Sequence, residues 1–190
     1  MSATPWFPPT GVLDPDKHGT FIKRRLALAI DANIPVEALW ESLPALSEKE
    51  VWWLQKYPTH RPVGYCGLLV TGENMTPDPL TRVGAIAGCL TRNFIRARVF
   101  SMAAVLASVE KEPITASCLL IADFVVAKAD DKKPLPGWRI QQLTALLSQR
   151  WSESGMQTVL CAPSVEAIAK EYGPYVASLI KNHYYHAEVA

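Results

Sequence analysis

Three apolar runs, each set between stretches of helical periodicity, constrain this chain most. GYCGLLV at 64–70, SCLLIADFVVA at 117–127 and MQTVLCAP at 156–163 are continuous and rich in branched residues, and turn signals bound them. Such runs are strands buried on both faces. A shorter strand, RVFS, is expected at 98–101. The intervening segments LTRVGAIAGCLTRNFI, MAAVLASVEK (closed by Pro113), WRIQQLTALLSQRWSES and SVEAIAKEYG are helical, with Gly155 and Gly173 as stops. A last helix, PYVASLIKNHYY, follows. Strands alternating with helices give an α/β protein whose mostly parallel sheet carries helices on both faces, with any ligand site at the carboxyl ends of the strands.

The N-terminal third differs in texture. Residues 1–19 carry four prolines and read as a Pro-rich tail outside the core. Residues 20–60 read as a helical extension, with one helix starting at Thr20 and a break at Pro35. A second helix runs from Ser47 to Tyr57, where Ser47 and Glu50 fit a capping box. Residues 61–190 form the α/β core. The length of 190 residues suits one such domain, and 49% hydrophobic against 19% charged residues supports a sizeable core. A net charge of +1 argues against a strongly basic nucleic-acid coat or a membrane-surface domain. No apolar run reaches membrane-spanning length, and the N-terminus lacks a secretory pattern, so a cytoplasmic location is expected. Cys66, Cys89, Cys118 and Cys161 are scattered in apolar contexts and read as reduced core thiols.

A strand followed by a TG loop and a helix is the setting of a phosphate-binding loop, which needs a second glycine, a lysine and a hydroxyl. The loop here reads T-G-E-N-M-T-P-D-P-L-T. After Gly72, Pro77 stands in the place of the second glycine, Asp78 in that of the lysine and Pro79 in that of the hydroxyl. Proline donates no N–H and is barred from left-handed dihedrals, and Asp78 adds negative charge where phosphate charge would be densest. An ordinary strand-to-helix turn that never held a nucleotide fits this segment as well.

The ordered set of segments resembles the AAA+ ATPase domain of bacterial helicase loaders of the DnaC/DnaI class and their IstB-type transposition relatives. ANIPVEALWESL resembles the stretch leading into that domain, and GYCGLLVTG resembles the strand before the phosphate loop. RARVFSMAAVLASV is similar to the second strand and its helix. CLLIADF resembles the Walker B strand, WRIQQLTALLSQRWSESGMQTVLCAPS the sensor-1 helix and strand, and SVEAIAKEYGPYVASLIKN the closing helices. The resemblance spans residues 32–182 and implies a three-layer RecA/AAA+-like core. Against that family pattern, the Walker B end offers Ala122 and then Asp123, where two acids belong. Ala162 and Pro163 stand at the sensor-1 place, and Ser178-Leu179-Ile180 lacks the finger arginine. The resemblance therefore implies a degenerate Walker A, a pseudoenzyme without ATP hydrolysis, and no cofactor or metal. Asp123 also fits a local cap at a strand end.

The resemblance implies partners from DNA replication: a replicative helicase, an AAA+ helicase loader, or single-stranded DNA. Residues 61–112 hold six basic and four acidic side chains. Arg82, Arg92, Arg96 and Arg98 are the candidate DNA track, with Arg92 and Arg96 spaced i,i+4 on one helix face; a solvated face with local ion pairs is the alternative. Phe21, Leu26 and Leu28 are candidates for a partner groove, and Trp53 for a protein-contact anchor, with one of the adjacent pair Trp52 and Trp53 facing inward. His183 and His186 sit i,i+3 apart, a weak zinc pattern against a frayed terminal helix. Self-association follows from the family's rings and spirals. Two other classes stay open. One is a regulatory subunit of a mobile-element or defence complex. The other is an enzyme or nucleotide sensor at the sheet edge using Asp78, Asp123, Cys161 and Arg139.

Overall fold

A computed structural model of the chain describes residues 15–40, 46–60, 63–108, 114–125, 135–153 and 155–189. The expectations for residues 1–14 and for Pro113 lie outside these. The sheet is built from β1 (Gly67–Thr71), β2 (Ala97–Phe100), β3 (Cys118–Ile121), β4 (Gln157–Ala162) and β5 (Tyr184–Glu188), in the order β2-β3-β4-β1-β5. Every pairing is parallel, with Leu69 facing Leu160 on one side and His186 on the other. The central strands β1, β3 and β4 are buried at every position, as their apolar runs require.

The two-residue side-chain period sorts these strands between two cores. Leu68, Val70, Leu120, Val159 and Cys161 face one layer, whereas Leu69, Leu119, Ile121, Leu160 and Ala162 face the other. The first layer holds α1 (Pro15–Ala32), α2 (Glu48–Gln55), α3 (Pro79–Arg92) and a 3-10 turn at Val36–Leu39. The second holds α4 (Met102–Ser108), α5 (Gly137–Ser152), α6 (Val165–Tyr172) and α7 (Pro174–His183).

α3 is buried from Arg82 through Arg92, because it is sandwiched between the sheet and the outer layer. The Val36–Leu39 turn lies directly on it. A Cβ at Gly88 would stand 2.0 Å from the Ala38 carbonyl oxygen, so only glycine admits this approach. The Ser47–Glu50 capping box forms as expected: Ser47 N donates to Glu50 Oε2 at 2.7 Å, and Glu50 N to Ser47 Oγ at 3.4 Å.

Two expectations need correcting. α1 begins at Pro15 and not at Thr20, with proline in the first helical position, where its missing N–H is no loss. The C-terminal HYYH stretch is no continuation of the last helix. α7 stops at His183, and Tyr184–Glu188 becomes β5, lying along β1. As an outer strand it buries only part of each pair of residues, so it carries no apolar run to announce it.

Candidate functional site

The carboxyl edge of the sheet is where a ligand would sit, and the segment from Thr71 to Asp78 crosses it. Gly72 is required by a close approach: a Cβ there would lie 2.4 Å from the Val189 carbonyl oxygen. Val189 N donates to Thr71 O at 2.8 Å, so the C-terminal segment packs against this glycine. Asp78 then caps α3. Its Oδ1 accepts from Leu80 N at 3.0 Å and Thr81 N at 3.2 Å, and its Oδ2 accepts from the Thr81 hydroxyl at 2.6 Å. The Thr81 hydroxyl bond, joined by the backbone bonds, holds the Asp78 carboxyl below its ordinary range. Pro79 contributes no N–H. The free amides of this helix end, the groups that would cradle a phosphate, thus bind the chain's own carboxylate.

The same loop is strapped from below. Arg82 donates through Nη2 to Thr76 O at 2.9 Å and through Nη1 to Glu50 Oε2 at 2.5 Å. Both side chains of this ion pair are almost fully buried. Glu50 therefore caps α2 and anchors Arg82, which anchors the loop. Neither this pair nor the capping role of Asp78 was anticipated, although the run D-P-L-T, an acid and a proline opening an apolar helix, is itself an N-cap signature.

Asp123 lies just past β3 and accepts a hydrogen bond from Met102 N at 2.7 Å, tying the strand end to the start of α4. The next residue, Phe124, offers its carbonyl to the Tyr172 hydroxyl. Ser178 is exposed on α7, and Leu179 and Ile180 pack into the second core. Of the other sheet-edge candidates, Cys161 is buried with its thiol pushed up to about 12, and Arg139 lies over the Trp138 ring at 5.1 Å. A cleft of about 530 Å³ does open at the ends of β1, β4 and β5, lined by Thr71, Ser164, Glu166, Lys181, His186 and Glu188 among others. His186 Nε2 and the Thr71 hydroxyl share a hydrogen bond of 2.7 Å, and burial lowers the imidazole pKa. His183 instead lies tilted against Trp151, with ring centroids 4.0 Å apart, so the two histidines have separate partners. Among the described residues, no group of three His, Cys, Asp or Glu side chains could hold a metal ion.

The candidate DNA track does not form as one surface. Arg82 and Arg92 are buried, Arg92 donating to Leu39 O at 2.6 Å. α3 ends at Arg92, so Arg96 is off the helix and the expected i,i+4 face is absent. Arg96 pairs with Asp31 at 3.4 Å, and Arg98 donates to Asp31 O at 2.8 Å. The partner candidates divide similarly. Phe21 is buried edge-on to Trp40, Leu28 is half-buried, and Leu26 is exposed. Trp53 is fully buried and cannot anchor a partner. Its neighbour Trp52 is the exposed one and stacks on Tyr185 at 4.9 Å.

No protein-family model and no curated protein matches the chain. Among the described residues, no helix is long and apolar enough to cross a membrane. A solved structure titled "Crystal Structure of the DnaI" is similar over 83% of this chain and 92% of that one, with a TM-score of 0.57 and 14% sequence identity. The five-stranded parallel sheet, with helices on both faces, matches the AAA+ fold of DnaI.

Proposed function

We propose that this chain is a nucleotide-independent relative of the AAA+ helicase loaders, which binds partners of DNA replication without hydrolysing ATP. The observation that carries this reading is the Asp78 cap. Its carboxylate engages the Leu80 and Thr81 amides at the start of α3. A phosphate brought there would meet a like charge, costing about 1–4 kcal/mol at 4 Å between the dielectric of water and that of a protein surface. It would also find Pro79 where a donor is needed.

The remaining machinery supports the same reading. Asp123, the one acid at the end of the Walker B-like strand, is committed to the α4 cap. Ala162 and Pro163 follow β4, and Ser178-Leu179-Ile180 carries no arginine; loss of a finger arginine alone lowers turnover ~10³–10⁵-fold. With chemistry set aside, the function rests on surfaces. Leu26 and Ile30, one helical step apart and both exposed on α1, form an apolar stripe suited to a partner's groove. Arg96 and Arg98 are the only cations of the candidate DNA track left near the surface.

The replicative helicase of the cell that makes this protein, mixed with the purified chain, is expected to form a complex on size exclusion, equally with and without ATP. Leu26→Asp with Ile30→Asp is expected to weaken it at least tenfold. No complex, or one that needs ATP, would contradict the proposal.

A further inference from the structure

α1 leaves large aliphatic side chains uncovered. Leu26 is 63% exposed and Ile30 70%, one helical turn apart on one face. The helix stops just beyond them. Asn33 is left-handed at φ 55°, Ile34 N donates to Ala29 O at 3.0 Å, and the Asn33 side chain donates inward to Val99 O at 2.9 Å. Ile34 then opens a groove of about 280 Å³ between residues 33–38 and the first turns of α3, lined also by Pro35, Ala38, Leu80, Gly84 and Val99. Its floor is open at Gly84, where an added Cβ would meet only Ala38 Cβ, at 4.0 Å. Apolar cavities of about 150 Å³ accept benzene, so this groove has room for an aromatic ring. Stripe and groove make one apolar track that starts on α1 and ends at α3.

The chain just before α1 has the composition and the length to fill that track. It reads PWFPPTGVL at 5–13, apolar apart from Thr10, with Trp6 and Phe7 side by side. α1 has 18 residues and spans about 27 Å from Pro15 to the groove end. In polyproline II geometry, which Pro5, Pro8 and Pro9 favour, the nine residues from Trp6 to Pro15 span about 28 Å. A segment folded back along α1 therefore brings Trp6 level with the groove.

We propose that residues 5–13 lie antiparallel along α1, over Leu26 and Ile30, with Trp6 seated between Ile34, Leu80 and Gly84. One segment then covers both apolar features. The stripe assigned above to a partner is occupied in the free chain, and a partner of that kind displaces the segment to reach it. The docking itself needs no partner, so its failure leaves the replication reading standing.

Paramagnetic relaxation in the full chain tests this. The native cysteines Cys66, Cys89, Cys118 and Cys161 are buried, so a nitroxide attaches selectively to a Thr4→Cys variant. The amides of Ile34, Ala38, Leu80 and Gly84 are expected to lose most of their intensity while the label is paramagnetic and to regain it on reduction. Trp6→Ser with Phe7→Ser is expected to restore most of that intensity. So is Leu80→Asp, which lies at a wall 64% exposed and is expected to fold. An isotope-enriched chain without the label, mixed with labelled chain of natural abundance, is expected to show no loss, because the contact is made within one molecule. No loss around the groove, a loss that both sets of substitutions leave intact, or a loss in the mixture would each overturn the proposal.

Discussion

Glu50→Ala is expected to lower the stability of the fold by about 3–5 kcal/mol, the usual cost of stranding one member of a buried ion pair. For a chain of this size that is a fall in Tm on the order of 10 °C. The Arg82 guanidinium would be left charged in the core with the Thr76 carbonyl as its remaining described acceptor. The capping box would fail at the same time, since Glu50 Oε2 also accepts from Ser47 N and Oγ. Ser47→Ala, which removes only the cap, is expected to cost about 1 kcal/mol. Pairing Glu50→Leu with Arg82→Met should recover most of the loss, because two apolar side chains need no compensation. Denaturant titration of the three variants separates these terms. A loss below ~1 kcal/mol for Glu50→Ala would mean that water reaches the pair.

Arg150→Leu is expected to cost about 3 kcal/mol or more. This side chain, in the last turn of α5, is buried and binds backbone carbonyls: Ile114 O at 3.2 Å, Ala116 O at 2.9 Å and Gln157 O at 2.6 Å, with the Thr158 hydroxyl at 3.1 Å. It holds the segment before β3 and the start of β4 against α5. Removing it orphans several acceptors, at about 1–3 kcal/mol for each one left unsatisfied. Arg150→Lys is expected to recover only part of this, since an ammonium has three donors at a single point and no fork to span two segments. Thermal unfolding of the two variants decides the matter. A lysine variant as stable as the wild type would show that charge alone suffices there.

The buried arginines also show where the sequence stops being informative. The central strands were legible because burial on both faces leaves a continuous apolar run. The capping box was legible because its two members are three residues apart. Arg82 and Arg92 read as part of a candidate DNA track because their partners are remote: Glu50 lies 32 residues away and the Leu39 carbonyl 53. Nothing local marks an arginine as buried. β5 was missed for a related reason: an edge strand has no need of an apolar run, so Tyr184–Glu188 looks like the end of a helix. The choice between Trp52 and Trp53 turned on how far α2 rotates against the sheet, which the packing of Trp53 against Tyr57 and His60 fixes only in three dimensions. Asp78 was legible as a charge hostile to phosphate, and its spacing from Leu80 and Thr81 holds the further information that it caps the helix.

The occupancy of the α3 N-terminus is the point on which the functional reading turns. A calorimetric titration of the full chain with magnesium-ATP, followed by amide chemical shifts of Leu80 and Thr81, measures it directly. The expected result is no saturable heat up to ~1 mM nucleotide and unmoved Leu80 and Thr81 resonances, with Asp78 still holding both amides. Saturable binding with shifts centred on those two amides would show that phosphate displaces the aspartate, and would contradict a fold that works without nucleotide.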